Sequence, residues 1–181
     1  MAEGGPSRKR ADSSGATLDL EIVRNDKRWS AALISDDMLV SAARAAFLQA
    51  PSRPRAGYLA ALALTDDAEV RALNRSWRGK DAATNVLSFP AGDDARNPDY
   101  LGDIVLAYET VLKEAREKGI AVADHAAHLV VHGVLHLLGF DHANDAEAEH
   151  MENLERAALA SLGIADPYDE RHNAPTAKVS P

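Results

Sequence analysis

From Leu18 to Ile22 apolar and acidic residues alternate, with Leu18, Leu20 and Ile22 on one side and Asp19 and Glu21 on the other, the pattern of a half-buried strand. The period then lengthens. Met38, Leu39, Ala42, Ala46 and Phe47 mark one face of a helix that Asp36 or Asp37 can cap and that stops before Pro51. Tyr58 to Leu64 is an apolar run closed by Thr65-Asp66-Asp67, a strand leading into a helix cap. Asp66 and Glu69 have capping-box spacing, and Val70, Leu73 and Trp77 supply an apolar helical face, which puts Trp77 in the core. Asn85 to Phe89 reads as a short strand stopped by Pro90. Ile104 to Leu106 is another, entered through Gly102-Asp103, and the two are close enough for a hairpin with a long loop. Helical periodicity follows over about 107–118, about 124–138, ended by Gly139, and about 144–162. The expected fold is α+β, a small mixed β-sheet packed with helices.

The 181 residues suffice for one domain with a proper core. That domain spans 17–168. Residues 1–16 are small, polar and Gly/Ser-rich, residues 169–181 lack apolar periodicity, and both read as disordered tails. No stretch of about 18 apolar residues suggests a membrane span, and the first residues lack the apolar segment of a secretory signal, so a cytoplasmic protein is expected. The formal net charge of −8 does not by itself point to nucleic acid. Locally the balance differs, because Arg71, Arg75, Arg78 and Lys80 form a basic strip.

There is no cysteine, so any metal must be held by His, Asp or Glu. Residues 132–142 read HGVLHLLGFDH. His132 and His136, four apart on a helix, leave the same face one turn apart. Gly139 can adopt the left-handed conformation that ends a helix, and the returning chain can bring His142 to the same point. Three imidazoles hold zinc and leave one position open, the arrangement of a catalytic centre at the end of a central helix. His128, one turn before His132, reads as a supporting or packing residue. His125, His150 and His172 read as solvated. The same spacing occurs in metzincin peptidases, where a glutamate after the first histidine is the general base. Here that position is Gly133.

In its surroundings the motif resembles the YbeY family of endoribonucleases that mature ribosomal RNA. The resemblance rests on HLVVHGVLHLLGFDH, on LNRSWRGKDAATNVLSFPAGD, on LGDIVLA and on LGIADPY, and it covers about residues 18 to 168. Two departures are Asn85, where the family usually has Asp, and Phe140, commonly Tyr. The resemblance implies that His132, His136 and His142 bind zinc and that Arg78 is the functional arginine. It further implies cleavage of single-stranded ribosomal RNA, chiefly at the 3′ end of the small-subunit RNA, ribosome quality control, and contact with the ribosome or its proteins. The chemistry agrees, since zinc lowers the pKa of a bound water to about 7 without a carboxylate base and a guanidinium suits two phosphoryl oxygens at once. Arg71, Arg75 and Lys80 are the expected RNA-backbone contacts.

Two other readings fit the residues. One is a zinc hydrolase of peptides or small molecules, which calls for a deep neutral pocket. The other is a non-catalytic ribosome-assembly factor with a structural zinc, which calls for a fourth ligand, His128 being the candidate. Nickel or another divalent ion also suits three imidazoles. Asp103 reads as a turn residue, Asp141 as a support for an imidazole or a turn cap, Trp77 as a core residue that could otherwise stack on a base, and the acidic residues of 144–162, Glu155 included, as a solvated face.

Overall fold

In the computed structural model, which describes residues 16–50, 57–92 and 97–169, strands and helices follow the expected order. They are β1 (Thr17–Arg24), α1 (Arg28–Ala31), α2 (Asp36–Gln49), β2 (Gly57–Thr65), α3 (Asp67–Arg78), β3 (Val86–Pro90), β4 (Tyr100–Ala107), α4 (Tyr108–Lys118), α5 (Val122–Leu137) and α6 (Asp145–Ser161). The sheet order is β1-β2-β4-β3. β1 runs parallel to β2 and β2 to β4, whereas β3 returns antiparallel along β4, with Leu87 opposite Val105. Parallel neighbours require a crossover, which α2 supplies between β1 and β2. The tails expected at 1–16 and 169–181 lie, apart from Ala16 and Asp169, outside the described residues. Among the described residues no single helix is long and apolar enough to cross a membrane.

Alternation along the strands divides the apolar residues between two layers. Leu62, Leu64, Ile104 and Leu106 are fully buried toward α2 and α5, where Ala42, Ala46, Val130 and Val134 meet them. Val105 and Ala107 point the other way and join Val70 of α3 and Leu87 in a smaller cluster. β4 is thus apolar on both faces, as a central strand must be. α6 packs on α2 and α5, outside the main layer.

Local differences from the sequence reading have physical causes. Ser35, not Asp36 or Asp37, caps α2, accepting from the Met38 N–H at 3.2 Å; the two aspartates lie in the first turn, where they face the positive end of the helix dipole. Asp66 caps α3 as expected, at 2.9 Å from the Glu69 N–H, but the Glu69 carboxylate turns back to the Thr65 hydroxyl. Trp77 is not in the core: it packs on Phe89 of the edge strand β3, and the indole is 72% exposed. Asp103 sits within β4 rather than in a turn, and its carboxylate accepts from the Tyr100 hydroxyl at 2.6 Å.

Gly133 sets how closely α5 approaches the sheet. A Cβ at this position would lie 2.9 Å from Ile104 Cγ2 and 3.0 Å from Cδ1, inside van der Waals contact. The absence of a side chain therefore serves packing, and a glutamate has no room here.

Candidate metal centre

α5 carries His125, His128, His132 and His136 along its length. After Leu138 the chain reverses through Gly139, whose φ of +93° is open to glycine at little cost. The Gly139 N–H bonds the His136 carbonyl at 3.0 Å, and the Phe140 N–H bonds that of Leu135 at 3.1 Å. The Asp141 carboxylate then accepts from the His142 N–H at 2.8 Å, so it caps this turn rather than holding an imidazole. The local sequence thereby returns His142 to the helix end. One ligand atom from each of His132, His136 and His142 lies within 4.8 Å of the others.

The hydrogen bonds behind the rings decide which nitrogens face inward. His132 Nδ1 donates to Glu155 Oε1 at 2.7 Å, and His136 Nδ1 donates to the Phe140 carbonyl at 3.0 Å. In a neutral ring so bonded, Nε2 carries the lone pair, and the two Nε2 atoms lie 3.0 Å apart. Two lone pairs converging without a hydrogen between them are what a cation satisfies. Burial, together with His132 and His142, pushes the His136 imidazole down in pKa, toward the neutral form a metal ligand needs. The donor set fits a divalent metal with an open coordination position.

Glu155, on α6, is the residue that sequence reasoning missed. It is 1% exposed. Besides His132, it accepts from His128 Nε2 at 2.7 Å and from the Tyr168 hydroxyl. Burial raises its pKa, but the bonds from His128, His132 and Tyr168 outweigh burial and hold the carboxyl at about 2. An ionised carboxylate on the far nitrogen of a ligand fixes the ring's tautomer and orientation. The signal was present: Glu155 falls in register with the buried Met151, Ala158 and Leu159, not with the exposed Asp145, Glu147 and Glu149.

His128 is thus a support and not a fourth ligand, and no fourth side chain joins the cluster among the described residues. His125 is not solvated. It is 1% exposed, and its Nε2 donates to Glu114 Oε2 at 2.7 Å. The same oxygen accepts from Asn85 Nδ2 at 2.9 Å, a donation that a carboxylate at 85 could not make when ionised. His150 is exposed on α6, and His172 lies outside the described residues.

The histidines open into a cleft of about 580 Å³ whose other wall carries Arg78, Thr84, Asn85 and Ser88. Arg78, at the last turn of α3, makes no ion pair among the described residues and is exposed toward solvent. The rest of the basic strip divides. Arg71 is held by Asp81 in two bonds of 2.7 and 2.9 Å, so its charge is already matched. Arg75 and Lys80 are exposed and do not line the cleft.

An α+β domain with three imidazoles converging beside a polar cleft and a free guanidinium defines a metal-binding protein of the kind that carries out hydrolysis. The family model for endoribonuclease YbeY matches residues 30–163, and the chain belongs to that family. It is 48% identical to the endoribonuclease YbeY of Novosphingobium aromaticivorans, over 86% of this chain and 97% of that one. To the endoribonuclease YbeY of Azorhizobium caulinodans it is also 48% identical, over 83% and 96%. The solution structure of TM1509 from Thermotoga maritima, 20% identical, shares the fold with a TM-score of 0.51 over 83% of this chain and 99% of that one.

Proposed function

We propose that this protein is a zinc-dependent endoribonuclease that cleaves single-stranded RNA in the cytoplasm. Its substrate is ribosomal RNA at the 3′ end of the small-subunit molecule, met on or beside the ribosome, and the activity serves rRNA maturation and ribosome quality control. The observation that carries this reading is the convergence of His132, His136 and His142 on a cleft whose opposite wall presents an unpaired Arg78. Membership of the endoribonuclease family supports it.

His132, His136 and His142 would hold the zinc, which when bound polarises a phosphoryl oxygen and lowers the pKa of water toward 7. Glu155 and the Phe140 carbonyl keep two of the rings aimed at the metal position. Arg78 faces the negative charge that builds on the phosphoryl oxygens during an in-line displacement. An open cleft of this size admits an extended strand.

The peptidase reading loses support at Gly133, where a general-base glutamate has no room beneath Ile104. The assembly-factor reading loses support at His128, which is committed to Glu155. The test is cleavage of a labelled fragment from the 3′ end of small-subunit rRNA, single-stranded or annealed to its complement. We expect the single strand to be cut, the duplex to resist, and a chelator to stop the reaction. Equal cutting of both forms, or cutting that survives chelation, would remove the proposal.

A further inference from the structure

Trp77 lies outside the buried core and outside the lining of the metal cleft, yet its position is specific. Earlier residues of the same helix face, Val70 and Leu73, pack in the smaller core, whereas Trp77 is 72% exposed. The ring is backed by Phe89 of β3, with centroids 5.7 Å apart at 57°. β3 is an edge strand. Its residues Val86, Ser88 and Pro90 line the metal cleft, while Phe89 projects on the alternate face. Trp77 therefore lies across the β3 edge from the cleft, on the Phe89 face, one residue before Arg78, which lines the cleft.

The charge of this corner is as distinctive as the ring. Arg75, Arg78 and Lys80 surround Trp77 in the chain, and their side chains make no hydrogen bond or ion pair among the described residues, although Arg75 also feels the charge of Asp81, in a protein of net charge −8. Arg71, one turn earlier, is matched by Asp81. An open aromatic face set among unmatched cations suits a ligand that is both planar and anionic. Aromatic rings stack on any base once it is out of a duplex, and the cations follow the backbone.

We infer that Trp77, braced by Phe89, is a stacking platform for an unpaired base of the RNA strand that crosses the β3 edge into the cleft, next to the phosphate at Arg78. The inference rests on the RNA-cleaving reading and adds to it the residue that selects single strands. A base held in a duplex cannot present its face to the indole.

The experiment uses the metal-loaded, full-length protein. Trp29, the other tryptophan, is fully buried and bonded to the Thr65 carbonyl, so solvent-exposed emission belongs to Trp77. Stopped-flow emission is followed on mixing with a single-stranded oligoribonucleotide, before turnover, alongside steady-state kinetics of Trp77→Ala and Trp77→Tyr. Quenching of the exposed emission in the parent is expected. Trp77→Ala should raise KM about 5- to 150-fold with kcat little changed, as removal of one stacking ring does. Its melting temperature and zinc affinity should match the parent's, and Trp77→Tyr should recover most of the loss. If Trp77→Ala cleaves with the parent's KM and the parent's emission is unquenched, the platform is overturned while the nuclease reading stands. If the parent neither binds nor cleaves single-stranded RNA, both readings fall. Quenching by a protein partner but not by RNA would overturn the platform in favour of a docking role.

Discussion

Glu155→Gln removes one charge and turns one of two acceptor oxygens into a donor, at a buried point where three donors converge. The remaining carbonyl oxygen can serve one side only. If it serves His128 and Tyr168, the new NH2 group faces His132 Nδ1, which must then give up its hydrogen and move it to Nε2, the metal-facing atom. If it serves His132, the ring stays aimed but loses the negative charge that makes it a stronger donor to a metal. Either outcome weakens binding. Loss of such an outer partner lowers metal affinity by about 10- to 100-fold, or about 1.4–2.7 kcal/mol. Glu155→Ala is harsher, since it leaves buried donors without an acceptor. Leaving buried donors unsatisfied costs about 1–3 kcal/mol, which at about 2–4 °C per kcal/mol lowers the melting temperature by roughly 2–12 °C. The assay is competition for zinc against a chromophoric chelator at pH 7.5, with thermal melts of the metal-free proteins to separate affinity from folding. If Glu155→Gln held zinc within twofold of the parent while His136→Ala lost it, the positioning role would be refuted.

Other consequences concern separate parts of the structure. Arg78→Ala should fold, bind zinc as the parent does and lower kcat by about 10²–10³-fold, measured on a single-stranded substrate; unchanged cleavage would remove the arginine from the mechanism. Gly133→Ala should lower the melting temperature by about 2–12 °C, because its Cβ meets Ile104 at 2.9 Å and overpacking of this kind costs about 1–3 kcal/mol; a neutral result would mean that α5 lies farther from β4 than described here. Burial holds the His125 imidazole below its ordinary pKa despite the bond to Glu114. The folded protein thus resists a proton that the unfolded chain accepts, and stability is lost as pH falls below about 6.5. His125→Gln keeps a donor for Glu114 without the titration. Its melting temperature should fall less than the parent's between pH 7 and pH 5.5 under the same metal conditions, and an equal fall would count against the assignment.

The convergence of His132, His136 and His142 was legible because its geometry is local. A four-residue helical step and a glycine turn fix where three imidazoles go, whatever the rest of the chain does. The strands and longer helices were legible for the same reason, as periodicity declares which face is buried. What the sequence hid depends on pairing across the fold. Glu155 meets His132 through the packing of α6 on α5, 23 residues away, and in isolation it looks like one more acid on a solvated helix. His125 looked solvated because nothing local announces Glu114. Nothing local announced that Asp81, ten residues on, would hold Arg71. Trp77 differs in the opposite sense: its helical position matches the buried stripe, but it meets the sheet only at Phe89 of the edge strand and stays exposed. Four-residue α1 is too short to leave a period.

Cleavage of RNA by this three-histidine centre is open to a single comparison. The most direct measurement compares zinc-dependent cleavage of a labelled single-stranded ribosomal RNA fragment by the parent and by His136→Ala, at equal folded concentration. Cleavage by the parent, abolished by the substitution, is the predicted result. Equal residual cleavage by both proteins would mean that the activity does not arise at this site.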